Sequence, residues 1–93
     1  MWKGLLPVGS IVLLKGGDRK LLVIGHCISK EDDESRVFDY AGSLYPEGFE
    51  DPDNIYLFNA ESIEKVYYVG YTDEKTTEHL SDIEKILKEM KNG

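Results

Sequence analysis

Cys27 and His26 are residue types that could perform chemistry, because a cysteine can act as a nucleophile and a nearby histidine as its general base. The two are consecutive and lie near the end of an apolar run, and adjacent residues of a strand point to opposite faces of a sheet. Their side chains therefore do not readily meet. We interpret them as a buried cysteine and a histidine at the rim of the core, not as a catalytic pair.

Other possible ligand sites lack the spacing that their chemistry needs. His79 falls beside the apolar stripe of a predicted helix, and no HExxH or CxxC pattern accompanies it. Gly16 and Gly17 open no helix and match no phosphate-binding loop, so a hairpin turn is the better interpretation. The acidic clusters at 31–34 and 50–53 lack EF-hand spacing and are interpreted as solvated loops. The sequence predicts no catalytic, cofactor-binding or metal site, and hence no enzyme.

Charge and cysteine content restrict the partner and the compartment. Among 93 residues, 18 Asp and Glu outweigh 11 Lys and Arg, which gives a net charge of −7. This charge repels phosphate backbones and anionic membrane surfaces and favours a partner with a basic patch. The single cysteine and the absence of a signal-peptide pattern at the start predict a cytoplasmic protein. No apolar run approaches the roughly 20 residues that span a bilayer, so we expect no membrane segment.

Five short β-rich runs organise the chain, at 11–14, 21–24, 37–41, 55–58 and 66–69. The glycines at 16–17 predict a hairpin between the first two runs. Since both of these runs are continuously apolar, we expect them to be covered on both faces. The charged stretch 30–36 has no apolar periodicity and is interpreted as a solvated loop.

Helical signals occur before the last strand and at the C-terminus. Asn59 predicts the cap of a short helical turn over 60–64. Thr72 or Asp73 is expected to cap a helix over about 73–91, on which the apolar residues form one stripe: Leu80, Ile83, Ile86, Leu87 and Met90. The residues predict one mainly β (α+β) domain over 1–93, a small, SH3-like, partly open barrel of five antiparallel strands over about 6–71 with a C-terminal α-helix.

Aromatic residues are crowded into the middle of the chain, and some of them must belong to the core. Strand alternation puts Tyr67 and Tyr68 on opposite faces, so one of them is expected to face outward. Exposed aromatics are efficient interface anchors because they bury a large area with few rotatable bonds. We predict a partner-binding surface that includes Tyr45, Phe49, Tyr67 or Tyr68; plain packing in the core is the alternative.

An ordered set of short motifs resembles a known family. The set comprises LPVGSIVLLKGG from residue 6, FDYAG from 38, YPEG from 45, FN from 58 and VGY from 69. Together these motifs resemble the Gram-positive family known as domain of unknown function 4176. The resemblance implies association with type VII secretion loci, where such proteins accompany LXG toxins and small helical WXG-like proteins, and it supplies no catalytic residue.

The resemblance and the residues together favour a non-enzymatic adaptor or chaperone. It would bind a type VII secretion effector or the small helical WXG-like protein that targets it. An immunity protein that binds and neutralises a co-encoded toxin domain is the alternative, and a structural module within a larger assembly is a third. No cofactor, nucleic acid or membrane is expected as a ligand.

Overall fold

The computed structural model describes residues 4–30 and 33–92 and has the predicted mixture of strands and one long helix. The strands are β1 Ile11–Leu14, β2 Lys20–Lys30, β3 Asp33–Leu44, β4 Tyr56–Phe58 and β5 Ile63–Tyr68. Short 3-10 turns, Pro52–Asn54 and Ala60–Ser62, precede β4 and β5, and the helix α1 spans Glu74–Asn92.

All five strands form one antiparallel sheet in the order β4-β3-β2-β1-β5. The first four strands follow one another as a meander, and β5 returns to pair with β1. The sheet is not closed, since β4 and β5 remain its two edges. The prediction of a partly open, five-stranded antiparallel arrangement with a helical turn before the last strand is confirmed.

The predicted loop over 30–36 is wrong for residue 30 and for residues 33–36, because β2 and β3 extend into it; residues 31–32 lie outside the described part of the chain. Their ladder includes the pairs Ile28↔Phe38, Ser29↔Val37 and Lys30↔Asp33. Backbone hydrogen bonds of a ladder do not depend on side-chain polarity, so charged residues can continue a strand that an apolar pattern does not mark. The acidic cluster 31–34 lies partly outside the described residues.

The core lies between the sheet and α1, and the N-terminal segment contributes to it. Its buried members are Leu5, Leu6, Val12, Leu21, Val23, Tyr40, Phe58, Leu80 and Leu87. The helix therefore packs on its own sheet through two residues of the predicted stripe. Ile83 is partly buried against this core, whereas Ile86 and Met90 are exposed.

Cover on the second face of the sheet is incomplete. Val12, Leu21 and Val23 are buried, but their strand neighbours Leu13 and Leu22 are only half-buried and are not part of the core cluster. The expectation that both runs are covered on both faces is therefore wrong for Leu13 and Leu22, which remain partly exposed.

Side-chain hydrogen bonds fix both ends of α1. Asp73, one of the two predicted caps, accepts a bond from the Thr76 backbone N–H at 2.9 Å, which lowers the pKa of its carboxyl group. Near the other end, Lys91 donates to Asp39 on β3 at 2.6 Å. Asn59 occupies the predicted N-cap position of the Ala60–Ser62 turn, but its side chain makes no capping hydrogen bond; its Oδ1 instead accepts a hydrogen bond from the Asp39 N–H at 3.0 Å.

Candidate functional site

Cys27 and His26 lie side by side in β2 but make different contacts. The His26 Nε2 lies 2.5 Å from the Leu6 carbonyl oxygen, and its ring packs 5.5 Å from that of Tyr40. Burial lowers the pKa of His26. The Cys27 Sγ points to Met90 Sδ on α1, 3.9 Å away. Each side chain thus has a packing partner on another element, and the two are not arranged as a nucleophile and its base.

The other residues considered for ligand chemistry have structural roles or are dispersed. Gly16 has a φ of +77°, and the Gly17 N–H donates to the Leu14 carbonyl at 3.0 Å, which confirms the predicted hairpin turn. His79 and His26 border a small surface pocket beside the start of α1. Within residues 4–30 and 33–92, no three histidine, cysteine or acidic side chains are grouped as a metal site would need, and no helix is long and apolar enough to cross a bilayer.

Tyr45 and Phe49 lie in the segment that follows β3. Both are exposed, and the Tyr45 N–H donates to the Lys20 carbonyl at 2.9 Å, which ties this segment to the start of β2. The two ring pairs found among the described residues, His26–Tyr40 and Tyr40–Phe58, include neither Tyr45 nor Phe49. These two predicted site residues are accessible but make no aromatic cluster with the others.

Tyr67 and Tyr68 are both exposed, to 42% and 58%, whereas strict alternation predicts that one of them faces inward. The register against β1 explains the difference. Ile11 pairs with Tyr68 and Val12 with Val66, so Tyr67 is an extra residue in the strand. Such a bulge shifts the side chains that follow it and twists the strand. Tyr68 is thereby brought to the outside together with Tyr67.

A second bulge in β5 gives the strand a burial period of three residues. Leu13 pairs with Lys65 and Leu14 with Ile63, which leaves Glu64 as the extra residue. Ile63 and Val66 are therefore half-buried, while the residues between and after them are exposed. The sequence contains a signal for this geometry that an alternating pattern does not describe. Apolar residues recur at 63, 66 and 69, with polar or aromatic pairs between them.

Two lysines flank Tyr67. The Lys20 Nζ and the Lys65 Nζ each lie 4.8 Å from the centre of its ring, within the range of cation–π attraction. We call Lys20, Lys65, Tyr67 and Tyr68 the tyrosine–lysine patch. In this acidic chain, the patch combines exposed aromatic surface on the edge strand β5 with the positive charges of Lys65, also on β5, and of Lys20 at the start of β2.

A cleft of about 630 Å³ lies where the sheet fails to close. We call it the open cleft; its walls come from the N-terminal segment, β3, the Ala60–Ser62 turn, β5 and the residue after β5. Most of the described lining is apolar, and it comprises Gly4, Leu6, Tyr40, Ala60, Ile63, Glu64, Lys65, Val66 and Val69. Its volume is within the usual range of ligand pockets, roughly 300–1,000 Å³.

Tyr40 forms the rigid back of the open cleft. It is 1% exposed, its hydroxyl accepts a hydrogen bond from the Leu6 N–H at 2.9 Å, and its ring stacks on Phe58 at 5.3 Å. Burial raises the pKa of Tyr40, so the phenol remains neutral and apolar at physiological pH. The predominantly apolar lining suits the cleft to apolar side chains.

The family model described as "Domain of unknown function (DUF4176)" matches residues 5–79. The chain belongs to the DUF4176 family. The matched region contains the whole sheet, the tyrosine–lysine patch and all of the open cleft except Gly4, and it ends within α1. No curated protein and no solved structure matches the chain.

Membership of DUF4176 confirms the family that the sequence motifs indicated. The YPEG motif contains a cis bond between Tyr45 and Pro46, and its Gly48 has a φ of +79°. Gly70 of the VGY motif has no room for a side chain, because an added Cβ would lie 3.1 Å from the Ser10 nitrogen and closer still to the Val8 carbonyl oxygen. Gly48 and Gly70 of these motifs therefore serve backbone geometry.

Proposed function

We propose that this DUF4176 protein is a non-enzymatic adaptor that binds a type VII secretion effector or its small helical targeting partner. The observation that carries the proposal is the tyrosine–lysine patch, which groups Tyr67, Tyr68 and Lys65 of the edge strand β5 with Lys20 at the start of β2. Tyrosine anchors of this kind dominate binding energy in many interfaces. The secretion partner comes from the family resemblance.

The partner's charge is part of the proposal. A chain with net charge −7 associates fastest with a protein that carries a basic surface, and the attraction weakens as salt is added. The two patch lysines, by contrast, would face acidic or aromatic groups of the partner at the contact itself. We expect the association rate to fall with ionic strength, while dissociation depends mainly on the tyrosines.

Co-expression with an LXG effector and its helical partner, followed by affinity purification, tests the proposal. We expect a stoichiometric complex with the wild-type chain. In a variant with Tyr67→Ser and Tyr68→Ser, binding should weaken by at least about thirtyfold, since hot-spot tyrosines typically contribute about 2 kcal/mol or more. Tyr71→Ser is the matched control, because Tyr71 is 77% exposed but lies outside the patch.

Three results would contradict the adaptor proposal. The first is the absence of a complex with either protein, and the second is equal binding by the wild type and the patch variant. The third is protection of cells, by this chain alone, against the isolated toxin domain, which would establish an immunity protein instead. Thermal unfolding followed by circular dichroism must show that the patch variant is folded before its binding is compared.

A further inference from the structure

The outer edge of β5 opens into the open cleft. Four consecutive residues, 63–66, line that cleft. Ile63 and Val66 pack against the core, whereas Glu64 and Lys65 are exposed, so this run borders the cleft with both its inward-facing and its outward-facing residues, as expected where the edge of the strand faces a cavity. The other edge of β5 is already paired with β1.

This edge has the two properties that allow a further strand to be added. Within residues 4–30 and 33–92, β5 is the end strand of the sheet, and no strand of this part of the chain pairs the backbone N–H and C=O groups on its outer edge. The cleft beside this edge is lined by apolar residues of the N-terminal segment, of β3 and of β5 itself, among them Leu6, Tyr40 and Val66. In recognition by strand addition, main-chain hydrogen bonds supply affinity and pockets for alternate side chains supply specificity.

We infer that the open cleft binds an extended segment of another protein, which pairs with β5 as a sixth strand. Alternate side chains of this guest strand enter the cleft, and they are apolar because the wall of Tyr40 and Leu6 is apolar. The side chains between them face outward, beside the tyrosine–lysine patch. The inference rests on the proposed protein-binding function and specifies the site and the backbone conformation of the partner.

Charge decides between a second copy of this chain and a different protein. Two copies, each with net charge −7, repel one another as they approach. A guest strand flanked by lysine or arginine is attracted by the same field. The occupant is therefore an extended segment of a partner, with alternating apolar residues and basic residues at its ends.

The probe that tests this inference is a fluorescein-labelled synthetic peptide of about ten residues, long enough to pair along the six residues of β5. It alternates valine and threonine and carries a pair of lysines at each end. One control peptide has N-methylated alternate amides, which removes backbone donors, and the other has glutamates in place of the lysines. Binding to the full chain is measured by fluorescence anisotropy.

We expect the unmodified peptide to bind and both controls to bind at least about tenfold more weakly, which corresponds to about 1.4 kcal/mol. Ala60→Trp should weaken binding by a similar factor because it fills the cleft from an exposed turn, whereas Ala60→Ser should not. Hydrogen exchange on the wild-type chain should show amides of residues 63–68 slowed by the peptide. This readout requires no substituted protein.

The inference is overturned if the peptide fails to bind at about 1 mM, if N-methylation has no effect, or if Ala60→Trp binds like wild type. A dimer in sedimentation equilibrium whose β5 amides are already protected would also overturn it, because a second copy would then occupy the edge. Since the probe is synthetic, these outcomes do not depend on the effector capture described above. A captured effector with unprotected β5 would leave the adaptor role intact and refute only strand addition.

Discussion

Two serines with the same burial but different hydrogen bonding provide a direct test of what stabilises this fold. Ser10 is 0% exposed and Ser43 is 1% exposed. The Ser10 Oγ accepts a hydrogen bond from the Gly70 N–H at 3.0 Å, which joins the start of β1 to the end of β5. The Ser43 Oγ has no hydrogen-bond partner among the described residues. The same substitution, serine to alanine, should therefore have opposite effects at the two positions.

Ser10→Ala removes the acceptor and leaves the buried Gly70 N–H unsatisfied, which costs about 1–3 kcal/mol of unfolding free energy. For a domain of this size, each kcal/mol shifts the melting temperature by about 4–8 °C. A fall of at least about 4 °C is expected. Ser43→Ala removes an unpaired hydroxyl and keeps the side-chain shape, so the free energy of unfolding should rise by about 1 kcal/mol.

Thermal and urea unfolding, both followed by far-ultraviolet circular dichroism, measure the two changes. The double variant serves as a control, because the two sites share no partner and their effects should add within about 0.5 kcal/mol. If both single substitutions lower the melting temperature equally, then hydrogen-bond satisfaction is not what distinguishes these serines, and the reasoning is refuted. A stabilised Ser10→Ala variant would refute it as well.

Three further predictions follow from the packing of the helix, the close approach at residue 70 and the buried histidine. Deleting residues 76–92 removes Leu80 and Leu87 from the core and should lower the melting temperature by several degrees; a truncated chain that melts like the full chain would contradict this packing. Gly70→Ala brings a Cβ within 3.1 Å of backbone atoms and should destabilise the fold in urea titrations, with Gly25→Ala, which meets no atom within 4 Å, as the control. Since burial lowers the pKa of His26, the folded state binds a proton at this side chain less readily than the unfolded state. The free energy of unfolding should therefore decrease as the pH falls below 6.5, the ordinary pKa of histidine. A His26→Gln variant should show a smaller decrease. Unfolding curves at pH 7.5 and pH 5.5 measure that difference, and equal losses in both chains would contradict it.

Local patterns were sufficient to identify most of the elements. The run Ile11–Leu14 and the glycines after it predict β1 and its hairpin, and both are present. The stripe through Leu80 and Leu87 predicts an amphipathic helix, and Asp73 caps it. These features depend on interactions between residues near in sequence, which the sequence expresses directly.

Elements whose geometry depends on a partner strand were predicted less well. The ladder between β2 and β3 extends through a charged stretch, because pairing is a property of two backbones. Asn59 is a residue type that favours capping a helix with its side chain, yet its Oδ1 accepts a hydrogen bond from the Asp39 N–H on β3. Both positions are determined by contacts between segments that are distant along the chain.

The candidate site, too, was predicted from the sequence only in part. Aromatic density and strand alternation predicted a binding surface that includes Tyr45, Phe49, Tyr67 or Tyr68. All four side chains are exposed. Among the described residues, however, no ring contact groups them. The open cleft was not predicted at all. Its walls come from distant parts of the chain, and no local pattern records that they face one another.

The sequence by itself determined the succession of five strands and a terminal helix along the chain, because periodicity and turn residues act locally. Its composition gave the acidic charge, and its short motifs indicated the family. Only the tertiary structure decided where the sheet stays open. Bulges at Glu64 and Tyr67 change the register of β5 against β1, turn two tyrosines outward and leave the edge of β5 beside an apolar cleft. A bulge arises from how two strands align, so it exists only once the chain has folded.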